Sequence, residues 1–78
     1  MPNTLEPHRT QNLYEAAFLR ARGFKLAGKE RFGKKVTVIF APDPNINGVV
    51  MEFYNGGHVE GWAFVEAYRS LKDMVFER

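Results

Sequence analysis

The chain has 78 residues, 45% of them hydrophobic and 26% charged, with a net charge of +2 and no cysteine. That length accommodates one domain, which buries roughly 60–65% of the surface its unfolded form exposes, and the lack of cysteine excludes both a disulfide framework and a thiolate zinc site. No window approaches the roughly 18 apolar residues of a membrane helix, and the start "MPNTLEPHR" has no apolar run after its charges, so neither a membrane span nor a signal peptide is expected and the expected location is cytoplasmic.

Residues 1–9, with Pro2 and Pro7 and no apolar period, are expected to form a flexible arm before a single globular domain over 10–78. A helix follows in "TQNLYEAAFLRARG". Thr10 or Asn12 can cap it, and Asn12 with Glu15 has capping-box spacing. Tyr14, Ala17, Phe18 and Ala21 lie at i, i+3, i+4 and i+7, one apolar face, and Gly23 stands where a left-handed residue ends a helix. The period then falls to two. "FKLAGKER" and "KVTVIFA" alternate around "FGKK", where Gly33 supplies the positive φ of a tight turn, so residues 24–41 are expected to form a β-hairpin.

In "APDPNINGVVMEFYNGG", Asp43 before Pro44 has the form of a helix start, and Ile46, Val49, Val50 and Phe53 keep helical spacing up to Asn55–Gly56. The rival reading makes "VVMEFY" a third strand. Helix is preferred because start, spacing and stop agree. The last segment places Phe64, Ala67, Tyr68, Leu71 and Val75 on one helical stripe, with a weak start at Glu60–Gly61 and Val59 placed to staple onto Phe64.

The order helix, hairpin, helix, helix resembles a family of small prokaryotic and phage domains of unassigned function. The likeness rests on "T-x(4)-E-A-A-F-L-x-A-x-G-F-K-L", "V-T-V-I-F", "E-F-Y-N-G" and "F-x(3)-Y-x(2)-L-K", between Thr10 and Val75. These are packing and capping residues, so the resemblance implies a fold, including a helix before "YNG", and assigns no catalytic residues. The family's last helix usually begins with a better cap than Glu60–Gly61.

Charge is distributed unevenly. Residues 1–42 carry eight Lys/Arg and three Asp/Glu; residues 43–78 carry three and six. Between Arg20 and Lys35 lie Arg20, Arg22, Lys25, Lys29, Arg31, Lys34 and Lys35 with one acid, Glu30. The core of this run, "KERFGKKVT", has two readings. Its cations are the ordinary protection of exposed strand edges, or Lys29, Arg31, Lys34 and Lys35 meet phosphates while Phe32 stacks on an unpaired base. An acidic protein partner is a third reading. The strand "KVTVIFA" has no charge from Val36 to Ala41, so its outer edge at Thr37, Ile39 and Ala41 is expected to pair with a second copy in a homodimer. Phe53, Phe64 and Tyr68 belong to the core by their spacing, whereas Tyr54 and Trp62 fall off the stripes and are candidate protein contacts.

Enzyme constellations are missing. His8 and His58 have no metal-ligand spacing, no phosphate-binding glycine loop is present, and Ser70 has no base beside it in sequence. No catalytic, metal or cofactor site is expected. The expected fold is α+β, a two-stranded antiparallel hairpin covered by three helices in the order α-β-β-α-α. The expected function is that of a small non-catalytic interaction module, protein-binding or self-associating. The alternative is a nucleic-acid-binding accessory protein using the basic hairpin 25–35.

Overall fold

A computed structural model of the chain describes residues 6–76. The elements run β1 (His8–Thr10), α1 (Leu13–Ala21), β2 (Leu26–Phe32), β3 (Lys35–Phe40), α2 (Ile46–Tyr54) and α3 (Gly61–Val75). The α+β class is as expected, but the sheet has three strands, in the order β1-β3-β2, and not two. The extra strand comes from the expected arm. Residues 1–5 of that arm lie outside the described residues, while His8, Arg9 and Thr10 pair antiparallel with Phe40, Ile39 and Val38.

This pairing corrects the expectation for the β3 edge. The outer side of β3 at Val38–Phe40, expected to await a second copy through Thr37, Ile39 and Ala41, is closed by the chain's own β1. Thr37 accepts a hydrogen bond from Gln11 Nε2 at 3.4 Å, and the Ala41 amide donates to the Lys25 carbonyl at 2.8 Å. The missed strand has only three residues, too few for a period-two pattern to show in the sequence.

The hairpin register is Leu26↔Phe40 and then Gly28↔Ile39 through Phe32↔Lys35, with an irregularity between Leu26 and Gly28. The two-residue loop holds Gly33 at φ 62. Positive φ at the first loop residue alone is the arrangement of a type II′ turn, whose twist suits a hairpin.

Helix α1 begins at Asn12, whose Oδ1 accepts the amides of Tyr14 at 2.9 Å and Glu15 at 3.3 Å. The reciprocal half of the capping box is not made: the Asn12 amide donates to Thr10 Oγ1 at 3.1 Å, and the Glu15 carboxylate turns elsewhere. Ala16, Ala17, Phe18 and Leu19 are all buried, while Tyr14 is 58% exposed. The expected stripe through Tyr14 and Ala21 is therefore too narrow and partly misplaced. The helix packs against α3, α2 and β1, and a helix with neighbours on several sides buries more than one stripe.

Residues 46–54 are helical, as preferred. The helix starts later than Asp43–Pro44 would place it: Asp43 Oδ1 instead accepts the Asn45 amide at 2.8 Å, and Asn45 is the N-cap without a side-chain bond. Its end is a Schellman arrangement, with the Gly57 amide donating to the Glu52 carbonyl at 2.6 Å and Gly56 at φ 83. A Cβ on Gly57 would lie 2.8 Å from that carbonyl oxygen, so the second glycine of "NGG" is required by close approach. Helix α3 starts at Glu60 with no side-chain cap and buries Ala67, Leu71 and Val75.

The core joins these helical faces to Val38 and Phe40 of the sheet. Among the described residues, no helix packs on the other sheet face. There Arg9 and Glu30, from the two flanking strands, approach to 3.7 Å beside Ile39 and Thr37, both half-buried.

Two outcomes follow from this packing. Leu71, 1% exposed, should cost about 2–5 kcal/mol of stability when truncated to Ala, measured by urea denaturation. Deleting residues 1–9 removes most of β1 and reopens the β3 edge. Sedimentation velocity should then show stronger concentration-dependent association than the full chain shows, and association no stronger than that of the full chain would contradict this account of the edge.

Candidate interaction site at the hairpin tip

The site is built around the carboxyl end of α3. A helix leaves its last carbonyls without intrahelical donors and carries a partial negative charge there. The strand register supplies the remedy. Lys29 lies opposite Val38 and Arg31 opposite Val36, and directly opposed residues share a sheet face, here the helical one. Accordingly Lys29 Nζ donates to the Met74 carbonyl, and Arg31 Nη2 donates to the Val75 carbonyl at 2.8 Å. Two cations of "KERFGKKVT" thus cap a helix more than forty residues away in sequence.

The rest of the run divides by strand alternation. Glu30 and Phe32 point to the uncovered face, where Phe32 is 77% exposed. Lys34 and Lys35, at the turn, line a cleft of about 260 Å³ together with Arg31, Gln11, Leu13, Val36, Val75 and Phe76. Among the described residues, no carboxylate lines this cleft. Its floor is aliphatic and aromatic, and Phe76 at its edge is 70% exposed. Neither Lys34 nor Lys35 forms an ion pair among the described residues.

The structure therefore brings Arg31, Lys34 and Lys35 to the border of one cleft and sets Lys29 beside them on the helix end, while Phe32 and its cross-strand partner Lys35 share the other sheet face, so that Lys35 meets the cleft only at the turn. Gln11, Leu13, Val36, Val75 and Phe76 were not singled out as site residues from the sequence, because they come from three separate segments. The cations nearer the start of the basic window go elsewhere. Arg22 forks onto Glu52 with contacts of 3.2 and 3.3 Å and also reaches the His58 carbonyl, while Arg20 donates to the Phe24 carbonyl. They sit at the carboxyl end of α1, whereas the cleft borders its amino end at Leu13.

A second cluster involves Tyr54, one of the two off-stripe aromatics. Glu15, 5% exposed, holds His8 Nε2 at 2.6 Å on one oxygen and accepts from the Tyr54 hydroxyl at 2.6 Å on the other. The bond to Glu15 is the main cause that raises the Tyr54 phenol above its ordinary 10.0, with desolvation second. The carboxylate ties β1, α1 and α2 together and is itself satisfied, which gives the trio a structural role. Nearby, Tyr14 stacks on Tyr68 at 5.2 Å and Tyr68 on Phe64 at 6.3 Å, so the expected core aromatics Phe64 and Tyr68 are only half-buried. Tyr68 is likewise raised above 10.0, first by its bond with Tyr14. Trp62, 59% exposed, makes no ring contact with this stack.

The features just described belong to a domain family without an assigned role. The chain is a member of the family described as domain of unknown function (DUF5659), whose profile matches residues 6–77. No curated protein and no solved structure is significantly similar to the chain. Among the described residues, no helix is long and apolar enough to cross a membrane.

The Tyr54 phenol offers a direct check of the Glu15 network. Its protonated form is the one the fold favours, so this contribution is present at neutral pH and is lost as pH rises through the elevated value. Phenolate absorbance, taken as the difference between wild type and Tyr54→Phe, should titrate above 10.0. In a Glu15→Gln background the same difference should move back toward the ordinary value.

Proposed function

We propose that this domain is a small non-catalytic interaction module that binds another protein through the cleft at the hairpin tip. The observation that carries the reading is that Arg31, Lys34 and Lys35 border one cleft with an apolar floor, which no carboxylate of the described residues lines. A specific protein contact needs both features, a small apolar centre and a charged rim. The division of the basic window favours protein over nucleic acid. Arg20 and Arg22 are held at the far end of α1, and Lys29 and Arg31 are committed to α3 carbonyls, which leaves a short cationic patch and not a stripe that could track a phosphate backbone.

Nucleic-acid binding is the second reading, favoured by one observation: Phe32 stands 77% exposed at the tip that also bears Lys34 and Lys35. Affinity capture from a lysate of the source organism, with and without nuclease, separates the two. A partner protein retained after nuclease treatment and lost with Lys34→Glu/Lys35→Glu is the expected result. Loss of all captured material on nuclease treatment would favour the second reading and remove the first.

A further inference from the structure

We infer that the cleft between the hairpin tip and the end of α3 recognises an acidic peptide segment carrying one large apolar side chain flanked by Asp or Glu. This rests on the protein-binding reading above and names the partner's chemistry. Size is the first ground. At about 260 Å³ the cleft falls below the roughly 300–1,000 Å³ of pockets that enclose whole small molecules, so it suits a single side chain presented by a larger partner.

Charge is the second ground. The negative end of a helix repels an anion, being equivalent to about half an elementary charge. Here the Met74 and Val75 carbonyls already accept from Lys29 and Arg31. Lys34 then adds a further positive charge at the rim, with Lys35 next to it at the turn, so among the described residues the local balance favours an anion beside the helix end. Glu30, the acid of the hairpin, faces the opposite side of the sheet with Arg9.

The lining chemistry is the third ground. Leu13, Val36, Val75 and Phe76 give an apolar side chain a surface that a phosphodiester backbone cannot use. Gln11 supplies an amide that can meet a carboxylate or a peptide group. An aliphatic or aromatic residue seated on this floor places its flanking carboxylates beside Lys34 and the hairpin turn, with Arg31 and Lys29 on the helix end behind them.

The test uses the full chain and a short fluorescein-labelled peptide with one leucine among glutamates, followed by fluorescence anisotropy and by amide shifts in NMR. Binding should perturb the amides of Gln11, Val36 and Val75. Lys34→Glu/Lys35→Glu should weaken it at least about tenfold, the scale of two lost charge contacts. Phe76→Ala, at an exposed position that leaves the fold intact, should weaken it about threefold through lost apolar contact. Replacing the peptide's leucine by serine should lower affinity by a similar factor, and replacing its glutamates by glutamines should abolish binding. Equal binding of the leucine and serine peptides would overturn the inference, since charge alone would then suffice. Tighter binding of an oligothymidylate of equal charge would overturn it together with the protein-binding reading. If the peptide fails to bind while a nuclease-resistant partner is still lost with Lys34→Glu/Lys35→Glu, the inferred chemistry is wrong and the protein-binding reading stands.

Discussion

A buried carboxylate must find donors or remain protonated, and Glu15 finds two from opposite sides. His8 approaches from β1 and Tyr54 from the end of α2, each at 2.6 Å. That requirement adds a directional tie among three elements, of which α1 and α2 also share core packing through Phe18 and Phe53. It also holds β1 against β3, because His8 is the first residue of the strand. An apolar residue at position 15 would pack, but it would give β1 no directional reason to dock. The sheet's closed edge is therefore held both by the pairing of β1 with β3 and by this carboxylate.

A second dependence links the sheet to the helical layer at the other end. The carbonyls of Met74 and Val75 need donors that α3 cannot supply, and β2 provides them through Lys29 and Arg31. Charge-assisted bonds of this kind are worth more than neutral ones, though at exposed positions solvent screens part of the gain. The functional consequence is larger than the energetic one. Capping neutralises the negative end of α3, and without it the neighbouring cleft would repel anions. Adjacent residues of one hairpin are thus divided: Lys29 and Arg31 hold the helix end, while Lys34 and Lys35 border the cleft at the turn without an ion pair among the described residues.

The same hairpin shows how strand alternation sorts side chains that look equivalent in a linear run. Arg31 and Phe32 are neighbours in sequence and lie on opposite faces of the sheet. Reading "KERFGKKVT" as one tongue with its aromatic among its cations therefore joins residues that the pleat separates. Tyr14 shows the corresponding effect on a helix. It shares the spacing of Ala17 and Phe18, yet it lies at the margin of the buried surface and stacks on Tyr68.

What the sequence determined by itself were the features governed by local chemistry. Asn12 begins α1 and Gly23 follows its end, Gly33 turns the hairpin, "YNGG" stops α2, and helical spacing marks Ala67, Leu71 and Val75 as core. Each depends on residues within a few positions of one another, so the cause lies within the quoted stretch. Tertiary structure alone decided that Glu15 serves His8 and Tyr54 and not the Asn12 amide, because its partners lie seven and thirty-nine residues away. It alone made a strand of His8–Thr10, which carries no pattern of its own and becomes a strand only because β3 offers an unpaired edge. It alone assembled the cleft, since Leu13, Val36 and Phe76 meet only when the start of α1, the hairpin turn and the end of α3 arrive at one end of the molecule. Local backbone preference is written in neighbouring residues, whereas the donors for a buried carboxylate and for a helix end are whichever groups the packed chain brings within reach.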